Sequence, residues 1–246
     1  MQVVKTLLVL VLLVFAVWGL RQQVVSDKVT ESLPIRYVRT EGVFQYLSKD
    51  ELKAALLPLV KASIFDADMQ QIHTTVAKLA WVKSASVERV WPDTIDIKVH
   101  ERKAYVRWGK NGLLTEYGEL FMPSNVDQFK SLLLVEGPKQ QEAKTLEIMK
   151  GVKTALSDQA LELAEFTVND REAWKIKLKT GLEILLGRTG QLEKLQRFLQ
   201  TFPVLGQERI AAMQAVDLRY PNGYAVSWKP DSVPIDLVKP NLQETH

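Results

Sequence analysis

The sequence predicts an α+β protein, with one N-terminal apolar helix followed by two folded units. Three observations carry this prediction. From Thr6 to Leu20 no residue is charged. Beyond Leu33-Pro34 the apolar residues recur first at helical spacing and then at every second position, and such alternation keeps returning as far as Trp228. The composition, 46% hydrophobic and 25% charged over 246 residues, is that of a chain able to bury a core, and the length suits two domains of about 100 residues each. Collagen and disorder are excluded, and the lack of cysteine removes disulfides, thiol nucleophiles and thiolate metal sites. With 32 Lys+Arg against 29 Asp+Glu, net +3, and no run of like charge, the chain is not built as a nucleic-acid binder. Its densest basic pattern, Lys175, Lys177 and Lys179, alternates with Trp174, Ile176 and Leu178 as the wet face of a half-buried strand.

The apolar run follows a head of only five residues. As a helix, Thr6–Leu20 measures about 22 Å against a hydrocarbon core of ~30 Å, but Lys5 and Arg21 can snorkel and Val24-Val25 lengthen the run. An uncleaved anchor fits best. A secretory signal is the rival, although Phe15-Ala16-Val17-Trp18-Gly19 places a tryptophan beside any plausible cut; a buried core helix is the third reading. Flanking charge does not orient the span, because Lys5 is opposed by Arg21 and Lys28.

After a polar linker, Ile35–Val43 reads as a strand. Ser48-Lys49-Asp50-Glu51 has capping-box form, and Leu52, Ala55, Leu56 and Leu59 continue it as a helix ending near Pro58. Asp66 or Asp68 caps a second helix striped by Met69, Ile72, Val76 and Leu79, with His73 at the border of the stripe. The period then changes to two. Ser84–Val90 and Thr94–Glu101 are strands joined at Trp91-Pro92-Asp93-Thr94, read as a two-residue turn, and Ile95, Ile97 and Val99 share the buried face.

That order of elements, with Val87-Glu88-Arg89-Val90-Trp91-Pro92-Asp93-Thr94 leading to Val99-His100-Glu101-Arg102, resembles the POTRA domain of the FtsQ/DivIB family of bacterial cell-division proteins. One departure is Ala104, where the family usually has proline.

The remainder agrees with the family's second, sheet-rich β domain. Strands are expected at Tyr105–Trp108, Gly112–Phe121 around a turn at Tyr117-Gly118-Glu119, and Leu132–Val135. A helix follows over Gln140–Leu156 with Ala143, Leu146, Ile148, Met149 and Val152 as apolar positions. Strands near Glu165–Asn169, Trp174–Leu178 and Leu182–Leu186 lead through Gly187-Arg188-Thr189-Gly190 into a helix carrying Leu192, Leu195, Phe198 and Leu199, closing at Phe202-Pro203-Val204-Leu205. The resulting division is a head at 1–5, a transmembrane helix at 6–25, a linker at 26–34, the POTRA domain at 35–103, the β domain at 104–229 and a tail at 230–246.

No catalytic constellation is legible. His73, His100 and His246 have no nucleophile or ligand partner in the pattern, His100 and Glu101 point to opposite sides of a strand, and Gly187-Arg188-Thr189-Gly190 lacks the Lys-Ser/Thr of a phosphate loop. The expectation is a non-enzyme with no cofactor and no metal. Two alternatives are a POTRA-type export chaperone, which calls for repeats or a barrel, and a membrane-tethered cell-wall hydrolase.

The end of the foldable chain is the candidate partner site. Val216, Leu218 and Tyr220 alternate with Asp217 and Arg219, and Asn222-Gly223 is a two-residue hairpin signal. Tyr224, Val226 and Trp228 then alternate with Ala225 and Ser227. No strand pattern follows, which leaves an uncovered edge open to strand addition, with Tyr220 and Trp228 as aromatic anchors. The plain alternative is that both aromatics pack the core and the tail folds back over the edge. The family resemblance implies that FtsB docks on this last strand through Arg219, Tyr220, Asn222, Gly223, Tyr224, Ala225, Val226 and Trp228. It further implies that Arg171 pairs with an acidic group of FtsB, that FtsL accompanies FtsB, and that FtsK and other division proteins meet the anchor and POTRA unit. It places the bulk of the chain on the periplasmic face of the inner membrane at the septum.

Overall fold

The computed structural model describes residues 33–61, 63–221, 223–230 and 232; the expected head, apolar helix, most of the linker and most of the tail lie outside them. The chain divides into two units at Arg102/Lys103.

In the first unit, β1 (Tyr37–Glu41), α1 (Lys49–Leu56), α2 (Met69–Ala77), β2 (Val82–Val90) and β3 (Thr94–Glu101) follow in order. The sheet runs β1-β3-β2, with β1 parallel to β3 and β2 antiparallel to it. Ser48 caps α1 by accepting from the Asp50 amide, and Asp68 caps α2 by accepting from the Gln71 amide. Leu52 and Leu56 from α1, Ile72 and Val76 from α2, and Ile95, Ile97 and Val99 from β3 are all buried, as the two periodicities require. His73, at the border of the helix stripe, bonds through Nε2 to the Ala85 carbonyl.

The β2–β3 turn departs from expectation. Val90 pairs with Thr94, so the connection has three residues, Trp91, Pro92 and Asp93, and the Trp91–Pro92 peptide is cis. The Glu101-Arg102 pair has a clear structural task. The Glu101 carboxylate accepts from the backbone amides of Gln45, Tyr46 and Leu47, at 2.7 Å for Leu47. Arg102 donates from Nη1 to the Ala80 carbonyl at 2.6 Å. The end of β3 thereby ties down the loop that enters α1 and the chain that leaves α2.

The second unit contains β4 (Val106–Trp108), β5 (Gly112–Leu114), β6 (Leu120–Phe121), a 3₁₀ turn at Val126–Phe129, β7 (Leu134–Glu136), α3 (Glu142–Ser157), β8 (Leu163–Val168), β9 (Trp174–Leu178) and β10 (Glu183–Gly187). Then come α4 (Gln191–Leu199), α5 (Phe202–Leu205), α6 (Gln207–Ala212), β11 (Met213–Asp217) and β12 (Ala225–Trp228). One nine-stranded sheet runs β12-β11-β10-β9-β8-β7-β4-β5-β6. Its parallel pairs are β4–β7, β7–β8 and β10–β11, and α3 and α4 lie in the connections of the last two. The core joins Leu146, Met149, Val152 and Leu156 of α3 and Leu195, Phe198 and Leu199 of α4 to Phe166, Ile176, Ile184 and Val216 of the sheet. Two expected core positions lie outside: Ala143 is exposed, and Leu192 is 40% exposed. Phe202–Leu205, expected only to close the preceding helix, forms its own turn of helix, and α6 was not anticipated.

Candidate partner-binding edge

The terminal pair is displaced from the expected frame. The sequence pattern places strand character at 216–220 and 224–228 around Asn222-Gly223; in the structure β11 and β12 pair Val216 with Val226 and Asp217 with Ala225, and the connection spans 218–224. It is therefore a seven-residue loop and not a two-residue hairpin. The reason is Leu218. Its amide donates to the Leu185 carbonyl at 2.8 Å and its side chain is buried, so the chain stays on β10 for one residue more before it turns. Gly223 is exposed, and Asn222 lies outside the described residues.

Where the loop begins, Asp217 holds Arg219 through both carboxylate oxygens, and the Arg219 amide also donates to Asp217 Oδ1. The Arg219 guanidinium keeps the Asp217 carboxyl below the ordinary carboxylate range, and that carboxylate raises Arg219 in turn. The loop is tied to α4 by Lys194 Nζ donating to the Arg219 carbonyl and Arg197 Nη1 donating to the Pro221 carbonyl, both at 3.4 Å. Tyr224 turns inward, edge-on to Phe198 at 5.1 Å, with its hydroxyl on Thr201 Oγ1. Between α4 and the loop lies a hollow of about 220 Å³ bordered by Lys194, Phe198, Leu218 and Tyr220.

The expected anchors face solvent: Tyr220 is 55% exposed and Trp228 44%, which removes the reading that both pack the core. Among the described residues β12 pairs only with β11, so its outer row of backbone groups has no strand beside it. Ala225 is exposed and Val226 half-buried against the core. Past Trp228 the chain still follows α6, with the Lys229 amide donating to the Ala212 carbonyl.

Register shows how Arg171 relates to this edge. Trp174 pairs with Gly187, and Leu185 pairs with Asp217, which pairs with Ala225. The 169–173 turn, the 188–190 turn and the 218–224 loop therefore share one end of the sheet, carrying exposed Arg171, Arg188 and Arg219. Asp217 already occupies Arg219, whereas the Arg171 backbone is fixed by Asn169 Oδ1 in an Asx-type turn. Sequence reasoning missed Lys194, Arg197, Phe198 and Thr201. Lys194 and Arg197 looked like an ordinary polar helix face, and no local signal says that a loop about 25 residues later crosses them.

At the opposite end of the sheet a larger cleft of about 500 Å³ is lined by Arg107, Lys130, Lys153, Glu162, Glu165 and Lys179. Hydrogen bonding to Lys179 holds the Glu162 carboxyl below its ordinary value, contrary to what a general acid for glycoside cleavage requires. Among the described residues no His, Cys, Asp or Glu cluster is arranged to hold a metal, and no helix is long and apolar enough to cross a membrane.

Residues 33–102 match the POTRA domain of FtsQ type, and residues 104–219 match the C-terminal domain of cell division protein FtsQ/DivIB. The chain is 50% identical over 219 residues to a protein of Methylomonas methanica named cell division protein FtsQ, covering 89% of this chain and 87% of that one. Proteins of the same name from Hahella chejuensis (33% over 202 residues, 82% and 72% covered) and Coxiella burnetii (26% over 226 residues, 92% and 93% covered) are also similar. With both domains matched and a relative of this identity covered over most of its length, the chain belongs to the FtsQ/DivIB family of cell-division proteins.

Proposed function

We propose that the protein is a single-pass scaffold of the division machinery. In this reading Thr6–Leu20 anchors it in the inner membrane, the bulk of the chain lies in the periplasm, and β12 captures a strand of FtsB, accompanied by FtsL. The observation that carries the reading is the β12 edge, unpaired on its outer side among the described residues and flanked by exposed Tyr220 and Trp228. An added strand bonds to the outward backbone groups of β12, which supplies affinity with little regard to sequence. Selectivity comes from what borders the edge, namely the aromatic faces of Tyr220 and Trp228 and the basic turn at Arg171, which suits an acidic side chain. Asp217 fixes Arg219 and α4 braces the loop, so the edge is shaped before its partner arrives and less ordering is required on binding. The test is binding of a soluble FtsB fragment to Tyr220→Glu. Tyr220 is exposed, so the substitution spares the core, and binding should fall at least tenfold in a protein of unchanged circular dichroism; undiminished binding would remove this site.

A further inference from the structure

The first unit carries a second exposed apolar feature, at its hairpin end. Trp91 is 54% exposed, Phe65 59% and Leu33 41%, and the Trp91 and Phe65 rings lie against one another at 4.8 Å. Beneath them the Arg89 guanidinium lies 5.8 Å from the Trp91 ring centre and donates to the Ala67 carbonyl, which fixes the aromatic pair from behind. Leu33 joins the patch because its carbonyl accepts from the Ile64 amide, the residue before Phe65. Arg36 completes the rim, its amide on the Asp93 carbonyl and its guanidinium 3.9 Å from the Asp93 carboxylate.

The position of this patch in the chain identifies what it meets. Leu33 is the point at which the chain enters the unit, and the uncharged run Thr6–Leu20 ends only twelve residues earlier. A connector of that length reaches at most about 40 Å when fully extended. The exposed aromatics are thus gathered at the end of the unit that the connector enters. Tryptophan and phenylalanine beside arginine is the side-chain chemistry of the zone between headgroups and hydrocarbon, where an apolar ring and a charged tip are both satisfied. Asp93 lies against Arg36, so the rings and not a bare basic cluster carry the attraction.

We propose that Trp91, Phe65 and Leu33 seat the first unit on the bilayer surface, dipping into the interfacial layer of a neutral lipid. This rests on the anchor reading above. Seating gives the unit a fixed standing orientation relative to the membrane.

The absence of cysteine makes the test direct. The full chain, carrying Asp66→Cys or His100→Cys labelled with an environment-sensitive fluorophore, is reconstituted into phosphatidylcholine vesicles containing nitroxide-labelled lipid. Position 100 is the control, about 20 Å away along β3 from the hairpin end. Quenching at position 66 should exceed that at position 100 at least twofold. Adding Phe65→Ser, or Trp91→Ser, to the Asp66→Cys chain should bring it down to the control level; Phe65 is exposed, so the fold does not depend on it. A chain that floats with the vesicles yet is quenched equally at both positions overturns the seat and leaves the anchor standing, and is the outcome expected if the patch meets a protein. A chain that does not float overturns the anchor, and the seat with it.

Discussion

Removing the Glu101 carboxylate should unfasten the first unit at a predictable point. Glu101 accepts from three successive amides, at 3.0 Å from Gln45, 3.2 Å from Tyr46 and 2.7 Å from Leu47. Behind them, Leu47 is buried and the Tyr46 ring stacks on Trp81 at 4.6 Å. In Glu101→Ala all three donors lose one acceptor together. Water can replace it at exposed Gln45, so the loss falls on Leu47 and in part on Tyr46. At about 1.5–3 kcal/mol per bond to a charged acceptor, the expected destabilisation is about 2–4 kcal/mol. For a unit of this size that lowers the unfolding midpoint by roughly 8–30 °C. The assay is thermal unfolding of residues 33–232 combined with hydrogen exchange, in which the amides of 45–47 should lose protection before those of β3. Glu101→Gln, which keeps one acceptor oxygen, should fall between the parent and the alanine variant. A Glu101→Ala protein within about 0.5 kcal/mol of the parent, the range of ordinary surface substitutions, would refute the reasoning.

Two further outcomes concern the β12 edge. Leu218→Ala should cost about 2–5 kcal/mol in urea unfolding, because it empties a buried site, and should weaken partner binding by loosening the 218–224 loop. Asp217 has its folded pKa depressed by Arg219, so its contribution is complete above the unfolded value of about 3.9 and is lost only as pH falls through the lower folded value. Asp217→Asn should therefore show a shallower loss of stability than the parent below the usual carboxylate range, with parallel curves near neutrality; an identical acid limb would count against the pairing.

Where periodicity and burial agree, the sequence was readable. Thr94–Glu101 and Trp174–Leu178 stand at the expected residues, because each alternates strictly between core and water. The last pair was readable in kind but not in register. Val216, Leu218 and Tyr220 share a parity, yet Leu218 is drawn onto β10, a strand about 30 residues earlier, and no local pattern encodes that contact. The exposure of Tyr220 and Trp228 was likewise beyond composition, since aromatics in strands most often face inward. Tyr224 sets its ring edge-on to Phe198 and its hydroxyl on Thr201, contacts that its strand alternation does not announce. The braces from Lys194 and Arg197 arise only once α4 and the loop have met, so they leave no trace in the spacing of either segment.

The nine-stranded sheet has unequal margins, and this limits what can be built from it. β12 offers four residues, whereas the opposite margin, β6, is only Leu120–Phe121. Head-to-tail growth through sheets requires two complementary margins on every copy, and a two-residue strand gives too few backbone bonds to serve as one. A strand laid on β12 therefore exhausts the valence of this domain at one.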